Sequence, residues 1–358
     1  MKTYFRSALF LLLLFTVTAA IAPKRFSSKT AIDTPYQEEA GSFLEHWNLI
    51  LGNGKNIEKV QTFTDSNYFY SIVNEGKEWL VFKTPNAGET HGTSNNTRTE
   101  LAQKEKWDTK VRSVLSATLK VMAVSESGRN DVPAAHSTVI GQIHSADGFE
   151  NEPLKIFYKK FPGHEKGSVF WHYEINTAGE NNAKRWDYST AVWGHDFSTV
   201  GLTPETVPEE PRDGIKLGET FSYSVVVQNG EMHLVFQAEN HPTMTFKKSL
   251  IKSDYSKVEN IHPQTKHLFF PVHQDGLERP EAYLNEGLFF KIGAYNQTNG
   301  KAYSINPNWC SDAETHQGEL IKQYTTGNYT EVWFTDLQLK VPEHSISNRN
   351  YFFNNDHL

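Results

Sequence analysis

The sequence holds a single cysteine, Cys310, in 358 residues, so no intramolecular disulfide can form and stability must rest on buried core. Long apolar runs are scarce. After the stretch Ala8 to Phe15, nothing approaches the roughly 20 apolar residues of a transmembrane helix, so no membrane span is expected. Metal signatures are missing as well: the 15 histidines are scattered, without an H-E-x-x-H pattern or cysteine partners, and no metal or other cofactor is expected. Basic charge is in deficit, with 35 Lys and Arg against 42 Asp and Glu. That balance argues against a nucleic-acid partner, which calls for a basic face. It leaves an anionic polysaccharide open, because recognition there depends on local potential inside a cleft.

What is present is an ordinary globular composition, 38% hydrophobic and 13% aromatic against 22% charged. Lys2 and Arg6 precede the apolar run, and Ala19, Ala20 and Ala22 follow it. This pattern predicts a secretory signal over residues 1–22 and a soluble product in the periplasm or outside the cell. No cysteine stands near the cleavage site to take a lipid. Removing Lys2 and Arg6 takes the formal charge from −7 to −9. Residues 23–40 are polar and aperiodic, as in a linker. The catalytic domain is expected over 41–341, followed by an Asn- and Ser-rich tail over 342–358.

Strand patterns dominate the domain. From Val111 to Ala123 every second residue belongs to one largely apolar face. Similar runs cover Ser168 to Ile175, Thr220 to Gln228, Glu231 to Ala238, Lys266 to His273, Leu288 to Tyr295 and Thr330 to Val341. Asn229-Gly230 between two of them is a strong hairpin signal, since both residues tolerate positive φ. The one short helix candidate is Ser42 to Leu51. Many short strands without alternating helices predict an all-β fold, a jelly-roll β-sandwich of two antiparallel sheets.

Three strand-like segments carry chemistry: Arg98-Thr99-Glu100-Leu101, Gln142-Ile143-His144, and Phe289 through Gln297. Side chains at i and i+2 share a strand face. Arg98 with Glu100, Gln142 with His144, and Lys291 with Tyr295 and Gln297 therefore point one way. Thr99, Leu101, Ile143, Phe290, Ile292 and Ala294 point the other, and their largely apolar character suits a core. The polar side is then the concave face of a sheet, which forms a substrate cleft.

In order and content these segments resemble the signature strands of polysaccharide lyase family 7, the alginate lyases: R-[ST]-E-L-R, Q-[IV]-H and Y-F-K-x-G-x-Y-N-Q. Here they read RTELA, QIH and FFKIGAYNQ. Ala102 replaces the second arginine and Phe289 replaces the leading tyrosine of the third motif. The resemblance implies alginate as substrate and cleavage by β-elimination, with Arg98, Gln142, His144 and Tyr295 as the catalytic group.

That chemistry needs these residue types. The C5 proton lies beside a carboxylate whose charge opposes carbanion formation. The fork of Arg98 and the amide of Gln142 are suited to neutralise it. Tyr295 is suited to give its proton to the departing O4, and His144 to act as base or as a carboxylate partner. In mannuronate the C5 hydrogen and the leaving oxygen share a side of the ring, so one tyrosine can serve both. In guluronate they lie on opposite sides, which calls for His144. Glu100, Lys291, Asn296 and Gln297 complete the expected substrate-binding set, with Glu100 also suited to orient Arg98, Lys291 to support the site electrostatically, and Asn296 and Gln297 to secure the strand end. Trp171, Trp186 and Trp193 are candidates for stacking on sugar rings.

Endolytic action and a monomer are expected. The rival readings are a jelly-roll glycoside hydrolase and a non-catalytic carbohydrate-binding module. A hydrolase needs two carboxylates about 5–5.5 Å apart, and closely spaced acids on one strand face are absent. A binding module has no need of the arginine, histidine and tyrosine together. The triplet Asn296-Gln297-Thr298 also fits a glycan acceptor, but a glycan there would block the cleft.

Overall fold

A computed structural model describes residues 31–32, 41–90, 94–146, 151–177, 184–197, 207–257, 259 and 276–342. The signal segment, most of the linker, the strand expected over Lys266 to His273 and the tail beyond 342 lie outside the described residues. Along the chain run β1 (Ala31–Ile32), α1 (Gly41–Glu45), β2 (Trp47–Ile50), β3 (Asn56–Ile57), β4 (Phe69–Asn74), β5 (Lys77–Pro85), β6 (Arg98–Gln103) and β7 (Ser113–Ala123). They are followed by β8 (Ser137–Ser145), β9 (Leu154–Lys159), β10 (Lys166–Glu174), β11 (Asp187–Trp193), β12 (Ile215–Lys216), β13 (Thr220–Gln228), β14 (Glu231–Ala238) and β15 (Met244–Ser249). The last are β16 (Leu288–Asn296), α2 (Leu320–Thr325) and β17 (Tyr329–Lys340).

The strands form two antiparallel sheets packed as a jelly-roll sandwich. One has eight strands in the order β1-β4-β5-β17-β7-β13-β14-β15. The other has nine, in the order β11-β10-β9-β8-β16-β6-β2-β3, with β12 paired to β10. Period-two patterning explains the packing. Leu80, Phe82, Leu115, Leu119 and Phe334 from the first sheet meet Leu101, Ile143, Ile156, Phe290 and Ile292 from the second in one buried cluster. Each such side chain contributes roughly 1.5–3 kcal/mol by leaving water, which offsets the missing disulfides.

The strands expected over Thr220 to Gln228 and Glu231 to Ala238 appear residue for residue as β13 and β14. Asn229 and Gly230 turn between them at φ 52° and 78°. Three expectations need correction. The helix expected over Ser42 to Leu51 is confined to α1, because from Trp47 the burial alternates with period two and the backbone pairs with β6. Ala31 and Ile32, read as linker, pair with β4. Trp171, Trp186 and Trp193 are no more than 3% exposed and belong to the core cluster, so no sugar can reach them.

Candidate active site

The three motif strands are neighbours, with β16 lying between β8 and β6. Register then builds the site from cross-strand pairs. Tyr295 stands opposite Arg98, Lys291 opposite Gln142, and Phe289 opposite His144. Directly opposed side chains on one face come within contact. The Arg98 guanidinium lies 3.8 Å from the centre of the Tyr295 ring, and the His144 ring stacks on Phe289 with centroids 5.0 Å apart. Phe289 thus keeps the aromatic platform that the motif's tyrosine would offer. The opposite faces, Thr99, Leu101, Ile143, Phe290, Ile292 and Ala294, are fully buried, as their parity requires.

Gly293 makes this register possible. Its φ is 155°, the β8–β16 pairing shifts between Ile292 and Tyr295, and an added Cβ would stand 2.5 Å from Thr99 O and 2.7 Å from Glu100 Cα. Any larger residue would push β16 away from β6 and separate Tyr295 from Arg98.

Glu100 is the hub of the charged cluster. It is 1% exposed; its Oε2 lies 3.4 Å from Arg98 Nη1 and 3.5 Å from Lys291 Nζ, and its Oε1 accepts from Gln142 Nε2. Both of its oxygens thus face Arg98, Lys291 and Gln142, so Glu100 positions the cations of the site. Burial pulls the Lys291 ammonium below its ordinary pKa against the attraction of Glu100. Arg98 is held above its own: burial opposes the charge, and Tyr295 and Glu100 outweigh it. Two buried polar atoms, Arg98 Nε and Gln142 Oε1, have no hydrogen-bond partner among the described residues. Buried polar atoms are seldom left so.

His144 donates from Nδ1 to the Ser145 carbonyl at 2.7 Å, since a carbonyl can only accept. In the neutral ring Nε2 is then the free acceptor. Burial, then the nearby Lys291 charge, hold this imidazole well below its ordinary pKa, so the ring is neutral with its lone pair on Nε2. The Tyr295 hydroxyl is 2.9 Å from Ser94 Oγ.

Asn296 and Gln297 are not exposed to the cleft. The Asn296 amide donates to Pro85 O and Asn86 Oδ1 and accepts from Thr298 N; Gln297 is 2% exposed and donates to Tyr295 O at 3.4 Å. Both tie down the end of β16. Conversely, the sequence reading missed Ser94, Glu152, Lys155, Glu174 and Asp187. Lys155 lies 3.3 Å from Glu152, 3.5 Å from Glu174 and 3.3 Å from Asp187. Arg185 also pairs with Glu174. None of them lies in a motif; Lys155 stands in the largely apolar run Leu154-Lys155-Ile156-Phe157-Tyr158, where a lone charge reads equally well as a solvated position.

A family model described as alginate lyase matches residues 43–341. The chain belongs to this alginate lyase family. It is a polysaccharide lyase and shares 50% identity and a TM-score of 0.82 with the exolytic family 7 alginate lyase of Zobellia galactanivorans, covering 87% of this chain and 100% of that one. An alginate lyase of Klebsiella pneumoniae is 26% identical over 260 residues, 63% of this chain and 77% of that protein. The solved Klebsiella pneumoniae structure, at 20% identity, shares the fold with a TM-score of 0.57 over 85% of this chain and 98% of that one.

Proposed function

We propose that this alginate lyase acts exolytically, removing short unsaturated products from chain ends, in place of the endolytic action expected from sequence. The observation that carries this reading is the covered half of the concave face. On β9 and β10, Phe157 and Phe170 are buried beneath Val132, Ala134, Phe161 and Phe197, and Tyr295 packs against the edge of that cluster. Lys159 fastens the cover by donating to Pro133 O at 3.0 Å and to Ala135 O. A polymer running along the face meets this wall beside the catalytic tyrosine. The 50% identity with an exolytic enzyme supports the same reading.

Within that pocket Arg98 neutralises the uronate carboxylate, the second N–H of the Gln142 amide hydrogen-bonds it, and Lys291 supplies field. Tyr295 protonates the leaving O4 and, for mannuronate, takes the C5 proton; His144 Nε2 takes it for guluronate. Residues 1–22 direct the chain out of the cytoplasm. The decisive assay follows alginate by viscosity and ultraviolet absorbance together, on exported protein whose N-terminus has been sequenced. Absorbance rising with little early loss of viscosity, and short products from the first minutes, is expected. A collapse of viscosity before absorbance rises would mean internal cleavage.

A further inference from the structure

Glu152 joins the catalytic strands to the covered charge cluster. Its Oε1 lies 3.5 Å from His144 Nε2, and its Oε2 lies 3.3 Å from Lys155 Nζ. It sits just ahead of β9, where its backbone N–H donates to Glu174 Oε2 at 2.9 Å. The carboxyl is held below its ordinary pKa: burial opposes the charge, but Lys155 and the contact with Glu174 outweigh it.

The charges around the His144 ring make this contact significant. From β16 it faces Phe289 and Lys291, from β6 Arg98, from β10 Glu174, and from the start of β9 Glu152. Two of these are cations, and the carboxylate that balances them, Glu100, is already committed to both. An imidazolium here therefore needs another anion. A neutral ring with Nδ1–H committed to Ser145 O presents only a lone pair at Nε2, and a lone pair gains nothing from a carboxylate 3.5 Å away. Once Nε2 is protonated the same approach becomes favourable, because a charge-assisted contact replaces a repulsive one.

We propose that Glu152 is the positioning residue of the guluronate reaction, stabilising the imidazolium formed when His144 Nε2 removes the C5 proton. The proposal rests on His144 being the guluronate base. In the step, the C5–H electron pair becomes the C4–C5 double bond, the C4–O4 bond breaks, O4 takes the Tyr295 proton, and the C5 proton remains on Nε2 beside Glu152. Water then returns both side chains to their starting states. On mannuronate, where Tyr295 is the base, Glu152 has no such part.

The test compares Glu152→Gln, Glu152→Asp, His144→Ala and the double variant Glu152→Gln/His144→Ala on polyguluronate and polymannuronate across pH. An opposite charge within about 4–6 Å moves a pKa by one or more units. Glu152→Gln should therefore lower kcat on polyguluronate about tenfold, move the acidic limb of kcat/KM to lower pH by about one unit, and change polymannuronate turnover less than about threefold. Glu152→Asp should restore part of the limb. In the His144→Ala background, Glu152→Gln should do nothing more. Lys155 keeps Glu174 and Asp187 in Glu152→Gln, so the fold is expected to persist, and Tm confirms it. An equal fall on both polymers, an unmoved limb, or the same loss without His144 overturns the proposal. If His144→Ala slows both polymers equally, the base assignment fails and the proposal falls with it; if His144→Ala is selective and Glu152→Gln is not, the proposal fails alone.

Discussion

The two halves of the concave face use the same materials to opposite ends. On β6, β16 and β8, Arg98, His144 and Tyr295 keep partial access to solvent. On β9, β10 and β11, Lys155, His172, Glu174 and Asp187 are at most 7% exposed, and charge is matched internally by Glu152 and Arg185. Both halves alternate charged and apolar residues, so residue type does not separate them. Closure does. Where loops cover the sheet, charges pair with one another and become a wall; where the sheet stays open, Arg98, His144 and Tyr295 keep an edge that a ligand can reach.

The largest expected effect lies on the open half. Tyr295→Phe removes a hydroxyl whose protein partner is Ser94, and kcat should fall about 10²–10⁴-fold, as for loss of a general acid, with Tm nearly unchanged. Retention of more than about a tenth of the turnover, read by ultraviolet absorbance, would assign the proton to another group.

On the covered half, Lys155→Met should cost stability instead, roughly 3 kcal/mol, because the buried carboxylates of Glu174 and Asp187 and the half-buried one of Glu152 lose their shared cation. Without it Glu174, whose carboxyl burial already holds above its ordinary pKa, rises further, and Glu152 loses the charge that holds it below its own. The folded state then binds more protons, so the deficit shrinks as pH falls. Urea midpoints at pH 8 and pH 5 should show the gap narrowing. A constant gap would mean a packing defect.

A smaller effect belongs to Lys159, which is 1% exposed and whose ammonium burial pushes down to about 7. Below that value the fold bears the whole cost of a buried charge, and the cost fades as pH rises toward the unfolded value of roughly 10.4. Between pH 7 and 9 the wild type should therefore gain about 1–2 kcal/mol relative to Lys159→Met. Parallel denaturation curves at the two pH values measure it; an unchanged difference would mean the ammonium stays charged.

These contrasts also mark what the sequence could say. Strand parity was legible, because a period of two needs no tertiary information, and it put Arg98, Gln142, His144, Lys291 and Tyr295 on one face. Register was not. The opposition of Tyr295 to Arg98 depends on the close approach to β6 that the missing side chain of Gly293 allows, and on strands about 200 residues apart in sequence. Asn296 looked like a ligand residue because its side-chain amide is equally suited to sugars and to backbone, and only the fold shows it spent on Pro85, Asn86 and Thr298. Trp47 to Leu51 fits either a helix or a strand over so few residues, and pairing with β6 decided it. The covering of β9 and β10 arises from loops, whose paths leave no periodic trace.

Strand order carries a consequence for how this chain is made. β17, residues 329–340, lies between β5 and β7, and β16 lies between β8 and β6. Neither sheet can close until these late segments are available, and they must be inserted between strands synthesised long before. Contacts this distant in sequence slow folding. A nascent chain stopped anywhere before residue 329 therefore lacks a central strand of its eight-stranded sheet, and one stopped before residue 288 lacks a central strand in both. Such a chain stays open during synthesis, and its catalytic strands come together only when almost the whole sandwich has been made.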